Sequence, residues 1–249
     1  MASSQSNQHE RSLEAAYTVP VPLMKAIISK AEASVCILNT PTGDVVGIQG
    51  SAGVYELKQN LWAIISNNHV VEFTDYEFIC GITLTFELHG GFSLKLRAEY
   101  IEHVTTSPFL DATIIEITNE FMLKLKGLGI IFLKVKPAEA KQKVALISYP
   151  KGEFSMDKGV IETVEGFTLS YYMAGDHGSS GAPILTWDFF AVGIHKWRGP
   201  DSRQASLGAI RVGSSLLEII EFHILESFSM LKFANHILIN FITNLLLNY

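Results

Sequence analysis

Three short stretches of this 249-residue chain carry side chains that could do chemistry together. In Gly175-Asp176-His177-Gly178-Ser179-Ser180-Gly181-Ala182-Pro183, hydroxyls stand between glycines and ahead of a proline, the composition of a tight turn. Glycine there accepts positive φ and lets another backbone come close. Such a turn presents a hydroxyl and leaves backbone N–H groups to hold an oxyanion. The second stretch, Ile64-Ile65-Ser66-Asn67-Asn68-His69-Val70-Val71, is an apolar run that ends in a small polar turn and delivers His69. The third, Leu110-Asp111-Ala112-Thr113-Ile114-Ile115-Glu116-Ile117, places Asp111 at the mouth of a β-branched run. An imidazole base, a carboxylate to orient it and a hydroxyl nucleophile are the parts of an acyl-transfer site. Each stretch alone also describes an ordinary turn or strand end; the combination, in the order His, Asp, Ser, carries the reading.

At this point the chain resembles the trypsin-like serine peptidases, whose motifs have the same order. Ser66-Asn67-Asn68-His69-Val70-Val71 looks most like the HtrA-type branch, and Gly178-Ser179-Ser180-Gly181-Ala182-Pro183 is similar to the family's Gly-Asp-Ser-Gly-Gly-Pro. The likeness covers roughly residues 31 to 216. It implies an all-β fold of two six-stranded antiparallel β-barrels and a serine endopeptidase acting on protein or peptide substrates. In that family's terms Ser180 is the nucleophile, with Ser179 its rival in another register. His69 would take and return the proton, Asp111 would orient the imidazole, and the N–H groups of Gly178 and Ser180 would form the oxyanion hole. Ser179 stands where proteolytically activated members have an aspartate, and no Arg/Lys-Ile-Val-Gly-Gly precedes it. Other contacts are therefore expected to hold the loop.

The resemblance extends to the specificity pocket. Ala174 lies six residues before Ser180, where members that cleave after basic residues carry an aspartate, so such cleavage is not expected. Gly193-Ile194-His195 looks like the pocket strand of glutamyl endopeptidases and of chymotrypsin-like viral proteases, in which the histidine binds Glu or Gln at P1. His195 is thus expected to select Glu or Gln, with Ala174, Gly175 and Trp197 as further pocket residues. Those families place a threonine where this chain has Gly175. His89, His103 and His177 show no metal-ligand spacing, so neither metal nor cofactor is expected. Gly90-Gly91 reads as a hairpin turn and not as a phosphate cradle. Two other readings use the same residues: an inactive homologue serving as a peptide-binding or scaffold module, and a regulatory protein whose carboxy-terminal helix engages a partner or membrane.

These side chains need a rigid frame, and the chain supplies one in short β-branched runs. Runs at Ser34–Leu38, Val45–Ile48, Gly53–Leu57, Leu61–Ile65, Glu77–Leu88, Phe92–Tyr100 and Ala112–Ile117 predict a first barrel over 31–125. A linker at 126–136 follows, the connection around Phe121, Met122, Leu125 and Leu128 having helical spacing. Runs at Gln142–Ser148, Glu153–Val164, Thr168–Tyr172, Ala182–Thr186, Phe189–Ile194 and Ala205–Val212 predict a second barrel over 137–216. Residues 1–30 read as a flexible arm and a short helix, Leu23–Ala33 with Met24, Ile27 and Ile28 on one side. Beyond Ser214, an amphipathic helical tail over 217–249 has a wide apolar face and one polar stripe, suited to a partner chain or membrane surface.

Bulk properties narrow the field. A net charge of −6 argues against a nucleic-acid partner, because phosphate binding needs clustered Lys and Arg. Cys36 and Cys80 are too few for a disulfide framework and lie in apolar runs, where a buried free thiol is the default. The polar segment Met1–Arg11 has no apolar core of a secretory signal, so an intracellular setting, cytoplasmic or nuclear, is expected. Oligomeric state is not legible in these residues.

Overall fold

The structure, a computed structural model, describes residues 17–41, 49–71, 79–108, 110–166, 168–173, 177–198 and 206–211. The side chains of Tyr172, Trp197, Arg198 and 206–211 lie outside this description, as do the expected strand at Val45–Ile48 and the tail at 217–249.

Fourteen strands form one hydrogen-bonded sheet. The first seven are β1 (Val35–Asn39), β2 (Gln49–Lys58), β3 (Leu61–Ser66), β4 (Thr83–Phe86), β5 (Phe92–Lys95), β6 (Ile101–Ser107) and β7 (Ala112–Ile117). They pair in the order β5-β4-β1-β2-β3-β7-β6, every pair antiparallel. The second group is β8 (Leu133–Val135), β9 (Lys143–Ser148), β10 (Ser155–Glu165), β11 (Thr168–Tyr172), β12 (Pro183–Thr186), β13 (Phe190–Arg198) and β14 (Ser206–Arg211). Here β12-β9-β10-β11-β14-β13 are antiparallel neighbours, and β13 pairs back onto β12, so six strands close a ring. Short β8 runs parallel to both β2 and β13 and joins the two halves. The expected six-stranded barrel is matched in the second half. In the first half seven strands form a path that does not close among the described residues.

Period-two alternation places β3, β7 and β9 between two cores. On β9, Val144 and Leu146 face the interior of the closed ring with Ile161, Tyr171, Ile184 and Val192. Ala145 and Ile147 face the seam between the halves, where Tyr55, Ile65, Ile114, Leu133 and Leu185 meet them. On β3 and β7, Ile64 and Ile115 point into the first half's own core with Leu38, Val54, Phe86 and Phe121. Both faces are dry, so the side-chain register is strongly specified.

Two helices complete the described fold. Helix α1 (Val21–Glu32) starts with proline near its first turn, where a missing N–H is harmless, and buries Ile27 and Ala31 against the seam. Ahead of it Tyr17 docks on the second half: its hydroxyl donates to the carbonyls of Val144 (3.0 Å) and Gly159 (3.2 Å) and accepts from Trp187 Nε1 (3.0 Å). Helix α2 (Asn119–Gly127) begins at Thr118, whose Oγ1 accepts the Phe121 N–H at 3.3 Å, and buries Phe121, Met122 and Leu125. Cys36 is buried, Cys80 half-buried, and both are free thiols. Among the described residues no helix is long and apolar enough to cross a membrane.

Candidate active site

Sheet register accounts for the meeting of His69 and Asp111, 42 residues apart. Strands β3 and β7 pair from Ala63↔Glu116 to Ser66↔Thr113. The turn after β3 and the turn before β7 therefore emerge side by side. Asp111 Oδ2 lies 2.7 Å from His69 Nδ1, and Asp111 Oδ1 accepts the His69 backbone N–H at 2.8 Å. One carboxylate thus holds both the ring and the backbone of the histidine. A carboxylate partner at Nδ1 puts the ring proton there and leaves Nε2 as the basic nitrogen. The Asp111 side chain is 13% exposed and that of His69 48%, so the acid is covered while the base reaches the surface.

The turn bearing Ser180 connects β11 to β12 and is drawn against β2. Ser51 on β2 is fully buried; its N–H donates to the Ser180 carbonyl (2.8 Å), and its Oγ donates to the Gly178 carbonyl (2.8 Å) while accepting the Tyr149 N–H (3.0 Å). Ser179 Oγ, also buried, donates to Ser148 Oγ at 3.1 Å. These hydroxyls occupy the role that the sequence left to other contacts. Two glycines are required for the approach. Gly178 has φ 95°, and a Cβ on it would stand 2.6 Å from the Tyr149 carbonyl; Gly181 has φ 84°, and its Cβ would overlap Ser51 O and Ser66 Oγ.

Carbonyl bonds set the direction of two N–H groups. The His177 carbonyl accepts from Lys151 N (3.0 Å), and the Ser179 carbonyl accepts from Ala182 N (3.0 Å). In a trans peptide the N–H points opposite to the C=O, so the Gly178 and Ser180 N–H groups turn the other way. Among the described residues neither has a hydrogen-bond acceptor. Such a pair of unpaired donors is suited to an anionic oxygen.

The turns bearing His69 and Ser180 converge on Gly50. A Cβ there would lie 2.5 Å from Val70 Cγ1 and 3.1 Å from the Ser180 carbonyl. Beside them, His195 on β13 is held to the serine turn by Gly181 N→His195 O (2.9 Å) and His195 N→Ala182 O (2.8 Å). Its buried ring puts Nδ1 2.6 Å from the Tyr171 hydroxyl. Burial, and secondly the charge of nearby His69, hold the His195 pKa down to about 4, so the ring is neutral at pH 7. Burial, then the Asp157 charge, raises the Tyr171 phenol, which stays protonated. A protonated phenol can donate to Nδ1, and with the bond in that direction the proton of the neutral ring sits on Nε2.

Of the expected pocket residues, His195 lies beside the serine turn. Trp197 is on β13, its backbone opposite Gly208. Ala174 and Gly175 lie outside the described residues. Two contributors escaped the sequence reading, Ser51 and Tyr171, and Asn67 was legible only as part of the His69 motif, without its bond to the Asp111 carbonyl (2.9 Å). The small-residue run Gln49-Gly50-Ser51-Ala52-Gly53 carries a weak signal of close backbone approach, whereas Tyr171 reads only as a strand aromatic. Among the described residues no group of three His, Cys, Asp or Glu side chains is placed to hold a metal ion.

The strand topology defines the chymotrypsin-like all-β fold, and in it the turn bearing the His69–Asp111 pair lies beside the glycine-bound turn of Ser180 at Gly50. Solved structures of that fold superpose on the chain. The active form of the Rv3671c protease from M. tuberculosis matches with TM-score 0.59 and 15% identity, over 82% of this chain and 86% of that one. An inactive form of Rv3671c matches with TM-score 0.57 and 16% identity, over 83% and 97%. The HtrA-type protease AlgW, solved with a tripeptide, matches with TM-score 0.56 and 16% identity, over 78% of this chain and 61% of that one. At these identities the likeness is one of fold. No family profile matches the sequence, and no curated protein matches it.

Proposed function

We propose that the protein is a serine endopeptidase. The observation that carries the reading is the double hold of Asp111 on His69, at 2.7 Å to the ring and 2.8 Å to the backbone, beside the turn of Ser180. In this reading His69 Nε2 takes the Ser180 proton as Oγ attacks the scissile carbonyl, then returns it to the leaving amine. Asp111 stabilises the imidazolium that forms between these steps. The Gly178 and Ser180 N–H groups receive the developing oxyanion; in other enzymes one such donor is worth about 3 kcal/mol. That Rv3671c and AlgW are proteases supports the same chemistry on this fold.

The P1 side chain is the finer part of the proposal. His195 selects between Glu and Gln, and its neutral ring favours Gln. An Nε2–H donor meets an amide oxygen without leaving a charge unpaired, whereas a carboxylate buried beside a neutral imidazole would lack a counter-charge. Residence in a reducing, intracellular compartment belongs to the same reading, supported by the free thiols of Cys36 and Cys80. A fluorophosphonate probe tests the core claim: labelling of the wild type and none of Ser180→Ala is expected. An unlabelled wild type, or a labelled Ser180→Ala variant, would overturn it.

A further inference from the structure

Asn67 has no exposed surface, and its polar groups serve both partners of the His–Asp pair. Its carbonyl accepts the N–H groups of Val70 (3.3 Å) and Val71 (3.0 Å), closing the turn that carries His69. Its Nδ2 donates to the Asp111 carbonyl at 2.9 Å. Its Oδ1, equally buried, has no hydrogen-bond partner among the described residues. Flipping the amide would turn its oxygen toward the Asp111 carbonyl, so the hydrogen bond itself fixes the orientation.

A buried amide oxygen without a partner carries its full desolvation cost, and folded proteins keep few of them. Leucine has the same branched shape and would avoid that cost, so packing does not account for an asparagine here. Asp111 does. It sits at φ 57°, in the left-handed region that is uncommon outside glycine and that aspartate enters more readily than most residues, so the bonds around it decide whether it stays there. Its N–H is tied to the Pro108 carbonyl (3.2 Å), and its carbonyl is tied to Asn67. Together these bonds fix both peptide planes flanking Asp111, and with them the direction of the carboxylate.

We infer that Asn67 is a positioning residue of the active site, acting through Asp111 and touching neither substrate nor Ser180. The inference rests on the proposed peptidase reading. It separates from a plain folding role because other side chains hold the same turn to the sheet. Thr106 Oγ1 donates to Asn68 Oδ1, and Thr113 Oγ1 donates to the Val71 carbonyl at 3.2 Å. Removing the Asn67 amide therefore frees Asp111 more than it frees the turn.

The test is Asn67→Leu, which keeps the side-chain shape and deletes both the donor and the orphan oxygen. Its Tm is expected within about 3 °C of wild type. Its kcat on a fluorogenic peptide is expected to fall about 10- to 100-fold with KM within about twofold, the loss that a misaimed catalytic group brings. The downfield NMR resonance of the His69 Nδ1 proton should shift upfield or broaden. An unchanged kcat with an unmoved resonance would overturn the inference. Should the leucine variant fail to fold, the wild type decides: a through-hydrogen-bond coupling from Asn67 Nδ2 to the Asp111 carbonyl carbon is expected, and its absence refutes the contact. Both NMR readouts work in a protein without turnover. An inactive wild type thus counts against the peptidase reading, while a missing coupling counts against Asn67.

Discussion

The Tyr171 hydroxyl lies 2.6 Å from His195 Nδ1, in the buried wall beside the turn of Ser180. With the protonated phenol as donor to Nδ1, the neutral His195 offers Nε2–H and no charge. On a peptide library at pH 7.5 the wild type is expected to prefer Gln over Glu at P1 by about tenfold or more, the worth of a hydrogen bond that leaves no charge buried. Tyr171→Phe frees the tautomer and should narrow that ratio, and His195→Ala should abolish it. Equal cleavage after Gln and Glu by the wild type would refute the pocket assignment.

The same burial makes stability depend on pH. His195 titrates near 4 in the folded chain and near 6.5 when unfolded. Between these values the unfolded chain binds the extra proton, so this contribution is complete above pH 6.5 and is lost as the pH falls through 4. A shift of this size corresponds to about 3 kcal/mol. Asp157 and Glu116, raised by burial, act with the opposite sign, so the measurement is a difference. Urea unfolding of wild type and His195→Gln from pH 4 to 7 should show a steeper decline for the wild type. Parallel curves would contradict the assigned shift.

Ser179 and Ser180 are expected to separate by role. Ser179→Ala removes a buried hydroxyl pair with Ser148 and is expected to cost about 1 kcal/mol of stability while keeping fluorophosphonate labelling. Ser180→Ala is expected to fold like the wild type and lose labelling altogether. The reverse pattern would move the nucleophile to Ser179.

Ser51→Ala tests the support of the serine turn from β2. It leaves the Tyr149 N–H without its Ser51 acceptor, at a cost of about 1–3 kcal/mol, and releases the Gly178 carbonyl. The expected result is a Tm lower by several degrees and a kcat lower by about tenfold, with KM little changed. A tetrahedral boronate should lose affinity in parallel with kcat, because it draws on the same N–H donors. Undiminished boronate binding would show that Ser51 serves the fold alone.

Gly181→Ala tests the contact between the halves. The residue is at φ 84°, and a Cβ would run into Ser51 O and Ser66 Oγ, both on fully paired strands. A loss of at least about 3 kcal/mol, read as a shift of the urea midpoint, is expected from strain and overlap together. A variant as stable as the wild type would mean that the two strands do not pack on this turn.

What the amino acids determined alone was local. Runs such as Leu61–Ile65 and Ala112–Ile117 announce strands because β-branched side chains suit a pleated, buried surface, and the helical spacing of Phe121, Met122 and Leu125 marks α2. Strand β6, Ile101-Glu102-His103-Val104-Thr105-Thr106-Ser107, escaped that reading because five of its seven residues are polar, and β8 because three residues make no pattern. The types and order of His69, Asp111 and Ser180 were likewise legible, since a tight turn or strand mouth is encoded by its neighbours. Tertiary structure alone decided that β3 and β7 pair to Ser66↔Thr113, which sets a carboxylate 2.7 Å from an imidazole. It also decided that Ser51 and Asn67 spend their polar groups on the two turns, and that Tyr171 faces His195. Those relations depend on long-range register, which burial of both sheet faces imposes on the whole chain and no short window of sequence contains.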